Sequence, residues 1–211
     1  MQNLNIFNDS VEMAYEKEAT LDKRKSLGQF FTPFKIALYM AKILFADITN
    51  LNNKSVVDPS SGFGIFTRAI VSLCKNKAYF INYEIDSGMV DIQRNILNEL
   101  GINYEVRGKD YLLEPCEKEI YDFVIANPPY IKHINFTNKQ DLNRLFNSML
   151  SDDFSITTNY YCYFILKSLF ELKRTGRAIF IVPSEFLNSN YGVKFKKYLI
   201  NEGSIKKNNI F

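Results

Sequence analysis

At 211 residues, 46% of them hydrophobic and 23% charged, the chain holds enough apolar material for one sizeable core and does not have the composition of a disordered protein. Three scattered cysteines (Cys74, Cys116, Cys162) argue against a disulfide framework or a zinc site. The single histidine, His133, excludes a histidine-rich metal centre, so no metal is expected and a reducing, cytoplasmic setting fits. A net charge of +3 permits an anionic partner without demanding one, and no apolar run approaches the roughly 18 residues of a membrane span.

The start, MQNLNIFNDSVEMAYEKEA, is acidic and polar, unlike a secretory signal. Residues 9–25 read as an amphipathic helix ending in Lys23, Arg24 and Lys25, so 1–26 form an N-terminal helical segment ahead of a main domain over 27–211. A break at Leu27-Gly28-Gln29-Phe30-Phe31-Thr32-Pro33 follows, in which Thr32 can cap and Pro33 can start a helix running to about Phe45. Beyond it, short apolar runs begin at Ser55, Tyr79, Tyr104, Phe123 and Ala178, the last reaching Val182. Helix-length stretches such as 65–74 and 87–100 lie between them. This alternation predicts an α/β fold: a doubly wound, mainly parallel, Rossmann-like sheet with helices on both faces. Residues 132–158 are polar, with one short helix expected near 140–150; they form either a loop over the site that orders when a ligand arrives or a plain surface insertion.

Ligands of such sheets bind at the carboxyl ends of the strands, and four successive ends are polar here. The first carries Asp58-Pro59-Ser60-Ser61-Gly62-Phe63-Gly64, the second Glu84-Ile85-Asp86, the third Gly108-Lys109-Asp110 and the fourth Asn127-Pro128-Pro129-Tyr130. Gly62 and Gly64 between a strand and a helix let a ligand approach the backbone. Glu84, at the end of the next strand, suits a carboxylate gripping ribose hydroxyls. An adenosine-containing ligand follows. NAD fits poorly, because Thr67 stands where a third glycine is expected and Asp58 would face a pyrophosphate. A cofactor bearing an ammonium group, such as S-adenosylmethionine, suits Asp58 better, and Asp110 could accept from its adenine amino group.

Asn127-Pro128-Pro129-Tyr130 is the sharpest signal. Two prolines stiffen the chain and Asn127 is pushed toward an extended conformation, giving a rigid corner that presents the Asn127 side-chain oxygen and the Pro128 carbonyl. Two acceptors on the hydrogens of an amino group conjugated to an aromatic ring would draw its lone pair out of conjugation, making it nucleophilic toward a methyl group. Tyr130 could stack on a planar base.

Together these residues resemble the N6-adenine DNA methyltransferases of restriction–modification systems, in the arrangement where the cofactor motif precedes the catalytic one. The resemblance runs from about Leu27 to Glu202. It implies the class I methyltransferase fold, with S-adenosylmethionine held by Phe31, Thr32, Pro33, Asp58, Pro59, Ser60, Gly62, Gly64, Glu84, Ile85, Asp110 and Asn127. It further implies catalysis by Asn127, Pro128, Pro129 and Tyr130, with adenine of double-stranded DNA as acceptor after base flipping. Ile181-Val182-Pro183-Ser184-Glu185-Phe186-Leu187, running on to Tyr191, is similar to the later motif that supplies a second aromatic against the base; Tyr191 is the choice, Phe186 the alternative. The family's closing antiparallel strands and its target recognition domain, or a separate specificity subunit, are expected beyond Phe211. Lys132, Lys194, Lys196 and Lys197 either meet phosphates or form a solvated face. Rival readings are a protein glutamine methyltransferase, which shares the tetrapeptide, an RNA adenine methyltransferase, and a DNA-binding subunit that has lost the chemistry.

Overall fold

A computed structural model describes residues 5–18, 30–48, 50–74, 78–131, 138–151, 153–155, 157–184, 188 and 190–202. At its centre are β1 (Ser55–Asp58), β2 (Tyr79–Tyr83), β3 (Asn103–Arg107), β4 (Tyr121–Ala126) and β5 (Leu172–Phe180). They pair in the order β3-β2-β1-β4-β5, every pair parallel. The first three strands step outward in one direction and β4 returns to the other side of β1, which opens the crevice where sheets of this class bind ligands.

Side-chain alternation along the strands sorts two cores. Val56, Phe80 and Phe123 face one way and pack with α2 (Phe34–Leu44) and α3 (Ile65–Leu73). Their neighbours Val57, Ile81 and Val124 face the other way, toward α5 (Lys139–Leu150), α6 (Tyr160–Glu171) and Phe195 of α7 (Asn190–Glu202). α4 (Ser87–Leu100) covers the outer strands, its Val90 and Leu97 packing with Val106 of β3. Every residue of β4 is buried, as a strand covered on both faces requires. At the sheet's amino-terminal edge Asp122 accepts from Lys54, Lys173 and both the backbone and hydroxyl of Ser55, joining three strands. Burial would raise this carboxyl, but those donors outweigh it and hold it below the ordinary range.

Three expectations need correction. First, β5 begins at Leu172, not near Ala178, and ends at Phe180. Its early residues carry no apolar signal, and a register shift separates Leu172, paired with Tyr121, from Arg177, paired with Phe123. Gly176 sits in that shift, where a Cβ would come within 2.8 Å of the Asp122 carbonyl oxygen. Second, α6 was not anticipated: it is apolar nearly all round and buried along its length, so it lacks an amphipathic period. Third, Thr32 does not cap α2. Pro33 occupies the N-cap position, and the Phe34 backbone N–H is met instead by Asp9 Oδ1 from the N-terminal segment. Thr32 is engaged elsewhere, as described below. The N-terminal helix α1 (Ser10–Glu18) was expected to continue to residue 25; residues 19–25 lie outside the described ones.

Candidate functional site at the crevice between β1 and β4

Asp58 ends β1 with 2% of its surface exposed. Its Oδ1 accepts from the Ser60 backbone at 3.1 Å, while Oδ2 has no partner among the described residues. Burial pushes the carboxyl well above its ordinary value, and the nearby Glu84 adds to the rise. Gly62 and Gly64 both adopt left-handed backbone, at φ 55° and 74°. At Gly64 a Cβ would also meet Gln93 Nε2 at 2.9 Å, so this turn is closed to side chains for two reasons.

Glu84 bridges the turn to α4. Its Oε2 accepts from the Gly62 N–H and its Oε1 from the Asp86 N–H, both at 2.8 Å. Each oxygen retains a second lone pair for a hydroxyl ligand. Burial raises this carboxyl too. Beside it Ile85 is exposed at the cavity rim. Asp110 starts the 3-10 turn Tyr111–Leu113, accepting from the Leu112 N–H at 2.9 Å, and its other oxygen takes the Tyr160 hydroxyl at 3.3 Å.

Across the crevice, Asn127 follows the end of β4. Its amide nitrogen donates to the Phe30 carbonyl at 2.8 Å and to Thr32 Oγ1 at 3.0 Å, and its backbone carbonyl accepts from Ser60 Oγ at 3.0 Å. The cofactor-type loop and the Asn-Pro-Pro-Tyr corner are thus bonded to each other. Asn127 Oδ1 is shielded and unpartnered among the described residues. Tyr130 donates to the Ile181 carbonyl at 2.9 Å, and burial pushes its phenol up to about 12. The Phe30 ring stacks on Tyr130, centroids 5.5 Å apart, and Tyr161 meets it edge-on at 6.2 Å.

A cavity of about 150 Å³ joins the two halves, with Phe31, Pro59, Ser60, Gly62, Glu84, Asp110, Asn127 and Pro129 in its wall. Phe31 also packs on Phe63 and Tyr15, so α1 reaches the back of the glycine turn. Thr32, Asp58, Gly64 and Tyr130 are not among the lining residues, Pro33 is the N-cap of α2, and Pro128 lies between Asn127 and the lining Pro129. Tyr191 falls in the first turn of α7 and Phe186 outside the described residues; neither side chain is placed. The sequence reading overlooked Phe30, whose carbonyl holds Asn127, and Tyr160 with Phe164, which line the cavity from α6. Phe30 was legible as part of the Phe-Phe-Thr-Pro run; the other two lay on the helix that was not anticipated. Among the described residues no group of three or more His, Cys, Asp or Glu side chains could hold a metal ion, and no helix is long and apolar enough to cross a membrane.

The crevice thus brings together a buried carboxylate oxygen and an amide oxygen, neither with a partner among the described residues, and a turn closed to side chains. The chain is 37% identical over 204 residues to "Type II methyltransferase M.AccI" of Acinetobacter calcoaceticus, covering 95% of this chain and 36% of that protein. It is 32% identical over 185 residues to "Type II methyltransferase M.HincII" of Haemophilus influenzae, covering 88% of this chain and 33% of that one. The chain therefore spans about a third of the length of these relatives. The type I restriction-modification system methyltransferase subunit from Streptococcus thermophilus superposes with a TM-score of 0.70 at 19% identity, over 94% of this chain and 45% of that one, and shares the fold. The profile of the Eco57I restriction-modification methylase family matches residues 34–211, and the chain belongs to that family.

Proposed function

We propose that this chain carries the catalytic centre of an S-adenosylmethionine-dependent N6-adenine DNA methyltransferase acting in the cytoplasm on double-stranded DNA. The observation that supports it best is the state of Asn127: both amide hydrogens are engaged, and the oxygen is an acceptor without a partner among the described residues. The cofactor reading rests on the fit of the crevice. Asp58 Oδ2, without a partner among the described residues, can meet the ammonium group once the carboxyl is ionised, the left-handed turn at Gly62 and Gly64 admits the chain of the cofactor, and Glu84 keeps lone pairs for ribose hydroxyls. Phe31, Ile85 and Asp110 would flank the adenine and methionine ends. When bound, the cofactor supplies an electrophilic methyl group.

The remaining work falls to this chain's own groups. Asn127 Oδ1 and the Pro128 carbonyl accept the two hydrogens of the target amine, which localises its lone pair toward the methyl; a proton leaves N6 after transfer. Tyr130 stacks on the extruded base, with Tyr191 or Phe186 as the opposing aromatic, and stacking offsets the few kcal/mol of unpairing. Holding acceptor and methyl in line supplies much of the acceleration. Sequence choice would come from a target recognition domain or specificity subunit.

The test is methyl transfer to duplex DNA with isotope-labelled cofactor, followed by nucleoside analysis. N6-methyladenine as the product supports the reading, and label only in protein or RNA, offered in parallel, overturns it. Asn127→Ala is expected to abolish transfer while calorimetric cofactor binding stays nearly intact; Asp110→Ala is expected to weaken the binding. Equal loss of both activities in Asn127→Ala would overturn the division of roles.

A further inference from the structure

The carboxamide of Asn127 can sit in its site two ways, with oxygen and nitrogen exchanged. Only one of them leaves an acceptor for a substrate amine. The surroundings decide between them. The Phe30 carbonyl, 2.8 Å from the amide nitrogen, can accept but never donate, so the exchanged amide would set oxygen against oxygen. Thr32 Oγ1, at 3.0 Å, takes the second N–H. With both hydrogens taken, Oδ1 is the one polar atom of the group without a partner among the described residues.

We infer that Thr32 is a positioning residue for Asn127: together with the Phe30 carbonyl it fixes the amide so that Oδ1 is the face offered to the target amine. The inference rests on the proposed chemistry at Asn127 and adds to it a residue that acts through the asparagine. Thr32 suits the task because it is itself held. It is 5% exposed, it precedes the fixed φ of Pro33 at −58°, and the next residue, Phe34, is tied through its N–H to Asp9. Its hydroxyl is absent from the capping position the sequence suggested because it points to Asn127. The main chain of Asn127 is anchored as well, its carbonyl accepting from Ser60 Oγ. An amide held at two points on an anchored residue loses little freedom on meeting its substrate.

The experiment uses Thr32→Val, which keeps the shape and removes the acceptor, and Thr32→Ser, which restores it. Two readouts are taken. In nitrogen-15 NMR spectra the Asn127 side-chain pair is identified by its absence from Asn127→Ala. That pair is expected to shift and to exchange faster with water in Thr32→Val, and to return toward wild type in Thr32→Ser. In methyl-transfer assays at saturating cofactor, Thr32→Val is expected to lower kcat about tenfold, the loss of one hydrogen bond expressed in the transition state, with Thr32→Ser recovering most of it. An unchanged Asn127 pair in Thr32→Val overturns the inference, as does a loss that disappears once cofactor is saturating, which would make Thr32 a cofactor contact only. If the wild-type chain methylates no adenine, the functional reading fails by itself, and the amide spectrum decides the positioning role alone.

Discussion

Asp58 combines two properties that pull against each other: burial raises its carboxyl, and the proposed ligand is a cation that needs it ionised. In the ligand-free protein the group holds its proton to higher pH than an ordinary aspartate; beside an ammonium group it gives that proton up. Binding therefore releases a proton, and cofactor affinity should rise with pH from the ordinary aspartate range up to the raised value of the buried carboxyl, by at most tenfold per unit. Calorimetry in buffers of different ionisation enthalpy measures the release directly. Asp58→Asn should weaken binding and flatten the slope, and any slope that remains belongs to Glu84, raised by the same cause. Folding shows the opposite trend. A carboxyl raised in the folded state binds more protons there than in the unfolded chain, so its contribution to stability is present at low pH and is lost as pH climbs toward the folded value. At this scale the sequence was informative wherever one residue type has one use. Asp58, Gly62, Glu84, Asp110 and Asn127 could be read because each sits where a strand stops. Partners joined across the fold could not: that Thr32 serves Asn127, 95 residues on, depends on the packing of two loops.

The helix α6 shows the same limit one level up. Strands β1 to β4 and helices α3 and α4 were legible because apolar runs and amphipathic periods alternate cleanly, and 87–100 matches α4 end to end. In α6 the apolar residues leave no polar face to mark a period, and at its buried end Lys167 and Glu171 look like surface charges until the core surrounds them. Lys167 is 1% exposed; it donates to the Tyr111 carbonyl at 2.9 Å and the Glu114 carbonyl at 2.5 Å and lies 3.7 Å from Glu171. Glu171 accepts the Tyr111 hydroxyl at 2.6 Å. This network fastens the stretch just after Asp110 to the helix beneath it. Lys167→Met should cost about 3–5 kcal/mol in denaturant unfolding, because it leaves carbonyls and a carboxylate without their donor. Adding Glu171→Gln should recover part of that loss, and an additive penalty would show that the two groups do not act together.

For the molecule as a whole, the described N-terminal segment is bound to the core through a deeply buried ion pair, besides its contacts at Asp9 and Tyr15. Arg68 of α3, fully buried, pairs with Glu12 and donates to the Ile6 carbonyl at 3.1 Å, while Val11 packs with Phe63 and Met89. Glu12→Ala should lower the thermal midpoint by more than Arg68→Met combined with Glu12→Met, since only the single change strands a buried guanidinium. If the double variant is the less stable, apolar burial does not compensate for the pair. The same contact sets an order on folding. Residues 5–18 are synthesised before their partner, since Arg68 lies 56 positions after Glu12, so they must wait, undocked, while the glycine turn and α3 are made. A segment made ahead of its partner is then secured only after it, and the back wall of the cofactor crevice is completed by a piece of chain already waiting in solution when the turn forms.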